Sequence, residues 1–166
     1  FVTGAGTGGG PHVRVWSLAG AAVTEVAHGF FAYDPAFPGG VAVTCADITG
    51  DGIADIITGA GPGGGPHVRV WSFVGGVLSE IAHGFFAYDP YFPGGVSVAA
   101  ADVTGDGVAE VITGAGPGGG PHVRVWSYLN GQLSELAHGF FAYDPFFPGG
   151  VNVGAGDVTG DGVAEV

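Results

Sequence analysis

The sequence predicts an all-β fold built from a repeated unit, and three observations support this prediction. Self-similarity with a period of 55 residues runs through the chain, for example at His12, His67 and His122. The 36 glycines recur at fixed places beside valine, phenylalanine and tryptophan, as turn and bulge residues do in β proteins. No segment has the apolar spacing of a helix. The 166 residues are enough for one domain with a hydrophobic core.

The period defines three copies, residues 1–55, 56–110 and 111–165, followed by one further residue. The second and third copies differ at only ten positions, which indicates recent amplification or deliberate design. Because the copies are so alike, identity among them does not separate functional residues from copied ones. We expect residues 1–166 to form a single segment of one domain.

Each copy contains four extended stretches with the alternation and the β-branched or aromatic residues of strands. In the middle of the chain these stretches are residues 96–101, 110–116, 122–128 and 132–143. Asn130-Gly131 is the sequence signal of a two-residue type I′ hairpin, and glycines hold the same place one copy earlier. Four antiparallel strands in about 40 to 55 residues make one blade of a β-propeller. We therefore expect a β-propeller of four-stranded antiparallel blades.

The hairpin turn predicts which residues face each other across the third and fourth strands. With glycines 75–76 at the tip, Trp71 opposes Glu80 and Arg69 opposes Ala82. Arg69 and Glu80 then lie diagonally on one face, and we interpret them as an ion pair beside Trp71. An arginine reserved for a ligand is the alternative interpretation.

A nine-residue pattern of oxygen-bearing side chains occurs once per copy, at residues 47–55, 102–110 and 157–165. Carboxylates at the first, fifth and ninth places and a hydroxyl at the third surround glycines at the fourth and sixth. Hard oxygen ligands on a tightly bent backbone are what Ca²⁺ requires. An EF-hand has a glutamate on a helix at position twelve, whereas here that position is Thr58 or Thr113 in a β-type run. The pattern therefore predicts a calcium loop between two strands.

Residues 95–116, with the sequence GVSVAAADVTGDGVAEVITGAG, resemble the FG-GAP (VCBS-like) repeat of integrin α-subunit propellers and of many bacterial secreted proteins. The resemblance covers the whole chain three times. The sequence departs from the family pattern at two places. Threonine stands at the third place of each loop, where the family usually has Asn or Asp, and Gly94-Gly95 stands where the family usually has Phe-Gly.

The resemblance implies which atoms bind Ca²⁺: the side chains at the first, third, fifth and ninth places and the backbone carbonyl at the seventh. In chain order, the implied ligands are Asp47, Thr49, Asp51, Ile53 and Asp55, then Asp102, Thr104, Asp106, Val108 and Glu110, then Asp157, Thr159, Asp161, Val163 and Glu165. A solvated acidic turn is the alternative. The resemblance also implies an extracellular or cell-surface protein of the bacterial secreted type.

The charge of the chain fits calcium loops and argues against two classes of partner. The net charge is -12 and no lysine is present, so we expect neither a nucleic-acid nor an anionic-membrane partner. Nine of the fifteen acidic residues lie in the three loops, so three Ca²⁺ ions, two charges each, would bring the net charge from -12 to -6. No apolar run approaches the roughly 18 residues of a membrane span, so membrane insertion is not expected.

Two other motifs have a functional and a structural interpretation, and we favour the structural one for both. Residues 59–66 contain a G-x-G-x-x-G pattern, but no helix follows and two prolines remove amide donors, which disfavours a phosphate loop. A zinc site would need His67 and His83 together. The predicted register places His67 opposite Gly84 and His83 opposite Val68, pointing apart, so we interpret them as structural histidines and leave pH-linked behaviour open.

An aromatic-rich loop follows the fourth strand of each copy, and its one variable place holds Ala36, Tyr91 or Phe146. We favour a structural cover between blades over a sugar platform. No serine stands with a base and an acid in a cleft-forming context. The predicted function is thus a non-catalytic, calcium-binding propeller scaffold or interaction module with an unidentified protein or glycan ligand. A carbohydrate-binding lectin is the main alternative, and a propeller hydrolase or lyase is a lesser one.

The alignment of the copies also predicts self-association. Phe1 aligns with the middle of a repeat, so we expect an excised segment that lacks a signal peptide. Residues before the first loop supply the second to fourth strands of one blade, whereas residues 151–166 supply only a first strand and its loop. Because propellers typically have about four to eight blades, we expect a closed, cyclic, head-to-tail homo-oligomer. A dimer with six blades is favoured, and a trimer with nine is the alternative.

Overall fold

The computed structural model has eleven β-strands and, over its described residues, no helix. It describes the backbone of residues 1–166 and every side chain except those of Ala27, His83, Ala137 and His138. The strands are β1 (Val2–Gly4), β2 (His12–Ala19), β3 (Ala22–Phe31), β4 (Val41–Ala46), β5 (Asp55–Ala60), β6 (His67–Val74), β7 (Val77–Phe86), β8 (Val96–Ala101), β9 (Glu110–Ala115), β10 (His122–Leu129) and β11 (Gln132–Phe141). The all-β prediction is confirmed. Within the described part of the chain, no helix is long and apolar enough to cross a membrane.

The strands pair into three antiparallel sheets that follow chain order. Sheet 1 contains β1–β3, sheet 2 contains β4–β7 and sheet 3 contains β8–β11. Within each sheet, every strand pairs with the next one along the chain, so each sheet is a simple meander. The four-stranded antiparallel unit is thereby confirmed for sheets 2 and 3. The described strands form a row of three sheets and not a closed ring.

The turns between the last two strands of sheets 2 and 3 have the predicted geometry. Gly75 and Gly76 have φ angles of 60° and 83°, and Asn130 and Gly131 have φ angles of 54° and 83°. Positive φ at both central residues is the mark of a type I′ turn, whose twist matches that of the flanking strands. The turn residues therefore position the ends of these hairpins as the sequence predicted.

Beyond the tip of the hairpin the predicted register is wrong, because β-bulges intervene. Trp71 opposes Glu80 as predicted, but Val70 opposes Ala82, where Arg69 was expected. One step along β6 here corresponds to two steps along β7, so β7 carries an extra residue. The predicted pairing of Arg69 with Glu80 nevertheless holds, with Nε and Oε1 2.8 Å apart.

A second register shift changes the partner of His67. This residue opposes Phe86 and not Gly84. A Cβ built on Gly84 would lie 2.2 Å from Nε2 of His67, so the imidazole packs directly on this glycine. Val68 opposes Phe85, so the predicted pairing of Val68 with His83 is also wrong. The predicted direction of the His83 side chain lies outside the described part of the structure.

The hydrophobic core lies between neighbouring sheets. Val13, Val41 and Trp71 belong to a cluster between sheets 1 and 2. A larger cluster, which includes Ile57 and Val111, joins sheets 2 and 3. Most buried side chains therefore stabilise the contact of one sheet with the next, as expected when each repeat buries its apolar face against its neighbour.

Residues 151–156 lie beside sheet 3 but pair less than predicted. The N–H of Val151 donates to the carbonyl of Ala115 at 2.9 Å, as the N–H of Val41 donates to that of Ala5 at 2.9 Å. Only one bridge, between Gly156 and Glu165, forms after that point. Residues 151–156 therefore do not form the complete first strand that the sequence predicts.

Candidate metal centre

Each of the first two nine-residue loops connects two successive strands of one sheet. Residues 47–55 connect β4 to β5, and residues 102–110 connect β8 to β9. Asp55 and Glu110, at the ninth place, are the first residues of β5 and β9. These two loops therefore run between two strands, as the sequence indicated, and their last carboxylate is fixed by the sheet.

Backbone amides hold the first carboxylate of each loop. The N–H of Gly50 donates to Oδ1 of Asp47 at 2.7 Å, and the N–H of Gly52 donates to Oδ2 at 2.7 Å. Both glycines have positive φ, 77° and 83°, which turns their N–H groups toward the carboxylate. The same bonds, 2.6 to 2.9 Å long, join Asp102 to Gly105 and Gly107, and Asp157 to Gly160 and Gly162.

These hydrogen bonds stabilise the ionised form of the first carboxylate. The amide of Gly107 is the largest cause of the lowered pKa of Asp102, and the amide of Gly162 has this effect on Asp157. For Asp47, desolvation acts to raise the pKa, but the amides of the loop together outweigh it and the pKa is lowered. The first place of each loop therefore holds a negative charge on a fixed backbone.

The ninth carboxylate has the opposite electrostatic environment in two of the loops. Asp55 is 1% exposed and Glu110 is 3% exposed. Burial raises the pKa of both carboxyl groups, although the N–H of Ile48 and that of Val103 donate to them at 3.3 and 3.0 Å. The other carboxylates of the same loop add to the increase. A cation within the loop would offset both the burial and the repulsion.

The structure brings three predicted ligands closest together in the third loop. One oxygen each of Asp157, Asp161 and Glu165 lies within 4.8 Å of the other two. The hydroxyl of Thr159 donates to Oε1 of Glu165 at 3.0 Å, so the third-place oxygen adjoins this cluster. Among the described side chains, no other group of three carboxylate, histidine or cysteine ligands converges as closely.

The third and seventh places are held by contacts within each loop. The hydroxyl of Thr104 lies 3.4 Å from Oδ1 of Asp102 and 3.4 Å from Oε1 of Glu110, and that of Thr49 lies 3.2 Å from Asp47. The seventh residue donates its N–H to the fifth carboxylate at 2.8 to 2.9 Å in the pairs Ile53 and Asp51, Val108 and Asp106, and Val163 and Asp161. That the seventh carbonyl binds Ca²⁺ stays a prediction.

The donor set of the loops fits a hard cation. Each loop offers carboxylate and hydroxyl oxygens, and neither histidine nor cysteine occurs within it. Oxygen ligands of this kind suit calcium or magnesium, whereas zinc and copper sites favour imidazole and thiolate. Several oxygens from one loop match the higher coordination number of calcium better than the strict octahedron of magnesium.

Residues 47–113, from the start of the first loop to β9 after the second, match the family model described as FG-GAP-like repeat. Over these residues the chain is similar to FG-GAP-like repeats. The resemblance noted from the sequence is thereby confirmed for residues 47–113, and repeats of this family commonly occur in extracellular or surface proteins. Among curated proteins, none matches the chain.

A hydrogen bond that the sequence analysis did not predict links the first two loops. The N–H of Ala109, in the second loop, donates to the carbonyl of Asp47, in the first, at 2.9 Å. Ile48, next to Asp47, is fully buried in the cluster between sheets 2 and 3. A signal was present, because every loop has apolar residues at its second and eighth places although most other places are polar or glycine.

Proposed function

We propose that this chain is part of a calcium-binding β-propeller that acts as a scaffold or interaction module and performs no catalysis. The observation that carries the proposal is the convergence of Asp157, Asp161 and Glu165 to within 4.8 Å in a loop whose pattern occurs three times. The fifteen residues implied by the family resemblance are its ligands, five in each loop. Bound Ca²⁺ would supply positive charge where three carboxylates meet.

The residues of the chain give calcium binding a structural effect. The first carboxylate orders the loop through the amides of two glycines, and the ninth begins the next strand. A ligand set that spans both ends of the loop connects β4 to β5 and β8 to β9 more rigidly than the loop backbone alone. Calcium is therefore a structural ion in this proposal.

The propeller follows from the family and from the shape of the unit. Two four-stranded antiparallel meanders, each followed by an aromatic loop, recur with a 55-residue period. Units of this size and strand number form propeller blades. We further propose an extracellular or cell-surface location, where millimolar Ca²⁺ suits modules of modest affinity.

Isothermal titration calorimetry of the metal-free chain with CaCl₂ tests the proposal. Three sites are expected per chain. Asp106→Ala removes the fifth-place ligand of the middle loop, so two sites are expected in that variant. Asp34→Ala removes one carboxylate outside the loops and is the matched control, with three sites retained. Three sites in Asp106→Ala, or no binding by the unsubstituted chain, would contradict the calcium assignment.

Glycan binding is a second candidate function, favoured by two exposed rings. Tyr91 is 94% exposed and Phe146 is 92% exposed. Asp89 and Asp144 accept hydrogen bonds from the N–H groups of these residues at 2.8 and 2.9 Å, so a fixed turn presents each ring. A flat ring held in this way can stack on the apolar face of a sugar.

A glycan array probed with the intact chain tests this candidate. Binding should weaken in Tyr91→Ala and in Phe146→Ala, and it should persist in Tyr91→Phe, which keeps the ring. Binding that both alanine variants retain, or an array without any signal, would remove the candidate. The calcium proposal does not depend on that result.

A further inference from the structure

Each pair of neighbouring sheets meets at a contact formed by the same set of side chains. We call each of these two contacts a join. In the first join, the Tyr33 hydroxyl of sheet 1 donates to the carbonyls of His67 and Thr58 of sheet 2, at 2.7 and 3.0 Å. The rings of Phe30 and Trp71 pack at a centroid distance of 5.0 Å. In the second join, Tyr88 donates to His122 and Thr113 at 2.7 and 2.9 Å, and Phe85 packs on Trp126 at 4.7 Å.

A guanidinium completes each join. Arg69 forms a two-point ion pair with Glu80 and lies 4.5 Å from the centre of the Trp71 ring. Its Nη1 donates to the carbonyl of Ala32 in the preceding sheet. Arg124 does the same with Glu135, Trp126 and the carbonyl of Ala87. The interpretation of Arg69 as an ion pair beside tryptophan is confirmed, and the guanidinium also bonds to the neighbouring sheet.

The outer face of sheet 1 presents one half of this join. Arg14 lies 3.4 Å from Glu25 and 5.5 Å from the centre of the Trp16 ring, but its side chain is 48% exposed, against 27% for Arg69. Trp16 donates from Nε1 to the hydroxyl of Thr3 at 2.9 Å, as Trp71 does to Thr58. Thr3 is exposed, whereas Thr58 is fully buried.

The outer face of sheet 3 presents the other half. Tyr143, which corresponds to Tyr33 two repeats earlier, is 66% exposed. Phe140, which corresponds to Phe30, is 48% exposed. Ala142 corresponds to the alanine whose carbonyl accepts from Arg69. The polar and aromatic groups of this face are therefore those that sheet 1 would need as partners.

We propose that the outer face of sheet 3 docks onto the outer face of sheet 1 of a second copy of this chain, with the geometry of the two joins inside the chain. Tyr143 would donate to the carbonyls of His12 and Thr3, Phe140 would pack on Trp16, and Nη1 of Arg14 would bind the carbonyl of Ala142. The two faces differ from each other, so the contact is head to tail.

The choice of a second copy rests on matched chemistry. The two outer faces carry the same residue types, at the same places in the repeat, as the two sides of each join inside the chain. The described strands place only β2 beside β1, so the other edge of β1 is open in this structure. Residues 151–156 hold, next to sheet 3, the place that Val41–Ala46 hold next to sheet 1. They would cover this edge in the second copy. The inference does not depend on calcium binding.

Sedimentation velocity of the 166-residue chain over micromolar concentrations gives the first test. Species at multiples of the 16.3 kDa chain mass are expected. Tyr143→Phe removes only the hydroxyl from an exposed ring, so it leaves the fold intact and should weaken association about tenfold or more, because one donor serves two carbonyls. Tyr91→Phe is the matched control and should associate like the unsubstituted chain.

Mixing two blocked chains tests the head-to-tail direction. Arg14→Glu blocks the face on sheet 1 and Tyr143→Ala blocks the face on sheet 3, so each chain alone should be monomeric. An equimolar mixture retains one intact pair of faces and should form a species of twice the chain mass. A monomeric unsubstituted chain, an association that neither variant weakens, or a mixture that stays monomeric would each overturn the proposal.

Discussion

The backbone N–H of Ala109 donates a hydrogen bond to the carbonyl oxygen of Asp47 at 2.9 Å, and this bond joins two successive loops. Ala164 and Asp102 repeat the bond between the second and third loops at 2.8 Å. Asp47 is the first residue of its loop, and Ala109 precedes the ninth residue of the next. Order in one loop therefore restrains the loop that follows it.

Removal of calcium is expected to lower the stability of the whole chain. If Ca²⁺ is present at about 100 times its Kd, each site contributes about 2.7 kcal/mol, and three sites together rival the roughly 5 to 15 kcal/mol of an ordinary domain. Thermal unfolding with and without EDTA should show a large drop in Tm. The triple variant Asp51→Ala, Asp106→Ala and Asp161→Ala should unfold at one temperature in both conditions. An unchanged Tm in the unsubstituted chain would contradict structural calcium.

Calcium binding should persist when an amide side chain replaces the threonine at the third place of the loop, and it should weaken when a methyl group replaces the hydroxyl. The Thr104 hydroxyl lies 3.4 Å from carboxylate oxygens of Asp102 and Glu110, so it adjoins the proposed ligands. Thr104→Asn is expected to retain or tighten calcium binding at this loop because an amide oxygen is a good ligand. Thr104→Val keeps the shape without the oxygen and should weaken it. Calorimetry that gave equal affinities for valine and threonine would exclude the hydroxyl as a ligand.

Much of this architecture could be predicted because it depends on local chemistry. Paired positive-φ residues at 75–76 and 130–131 fix the hairpin turns, and alternating apolar residues fix the strands. The loops were visible because glycines and carboxylates recur at fixed spacing. Their amide contacts follow from that spacing, as the bonds of Gly50 and Gly52 to Asp47 illustrate.

The contacts that could not be predicted depend on how neighbouring strands and sheets meet. One bulge in β7, between Glu80 and Ala82, moves Ala82 opposite Val70, and no glycine or proline in that stretch indicates it. The hydrogen bond from Arg69 to the carbonyl of Ala32 joins residues of neighbouring repeats that are 37 positions apart in the chain. The link from Ala109 to Asp47 also joins two sheets through backbone atoms, and the apolar second and eighth places of the loops indicate burial but not this partner.

Loss of a buried tyrosine hydroxyl is expected to destabilise the join between sheets. The Tyr33 hydroxyl donates to two carbonyls, and burial raises the pKa of this phenol, so it stays protonated as a donor. Tyr33→Phe leaves both carbonyls without this donor and should cost about 1 to 3 kcal/mol. Tyr91→Phe, at a 94% exposed ring, should change the free energy of unfolding by less than about 0.5 kcal/mol. Urea denaturation compares the two, and equal costs would contradict a structural role for Tyr33.

Stability should fall below neutral pH partly because of His67. Desolvation is the first cause of its lowered pKa and repulsion by Arg69 is the second, while Glu80 acts in the opposite direction. The ring lies 4.9 Å from that of Phe86 and 5.5 Å from that of Tyr33. Because the unfolded pKa of about 6.5 exceeds the folded one, the unfolded state binds more protons below that pH. This contribution is therefore complete above pH 6.5 or so and is lost as the pH falls toward the folded pKa.

His67→Gln isolates this effect from the titration of the carboxylates. The variant keeps a polar side chain but cannot become charged, so its stability should depend less on pH between about 7 and 5. Urea midpoints for both chains at several pH values, with EDTA present throughout, provide the comparison. Parallel curves would show that protonation of His67 does not oppose folding.

Coupling between loops should be visible in amide hydrogen exchange. Ala109 bonds to the carbonyl of Asp47, so its protection should increase when either its own loop or the preceding one binds Ca²⁺. Asp51→Ala removes a ligand from the preceding loop only. In that variant we expect calcium to slow the hydrogen exchange of the Ala109 amide several-fold less than in the unsubstituted chain. This difference corresponds to the free energy of about one hydrogen bond. Ala164 bonds to Asp102 of the second loop, so its slowing should be unchanged.

The reciprocal variant and a distant amide complete that experiment. Asp106→Ala disables the middle loop, so calcium should no longer protect Ala164 fully. Gly118 donates to the carbonyl of Pro148 at 2.8 Å, away from all three loops, and its exchange should not respond to calcium in either variant. If Ala109 kept its full calcium-dependent protection in Asp51→Ala, each loop would order independently, because the bond to Asp47 would then transmit nothing from one loop to the next.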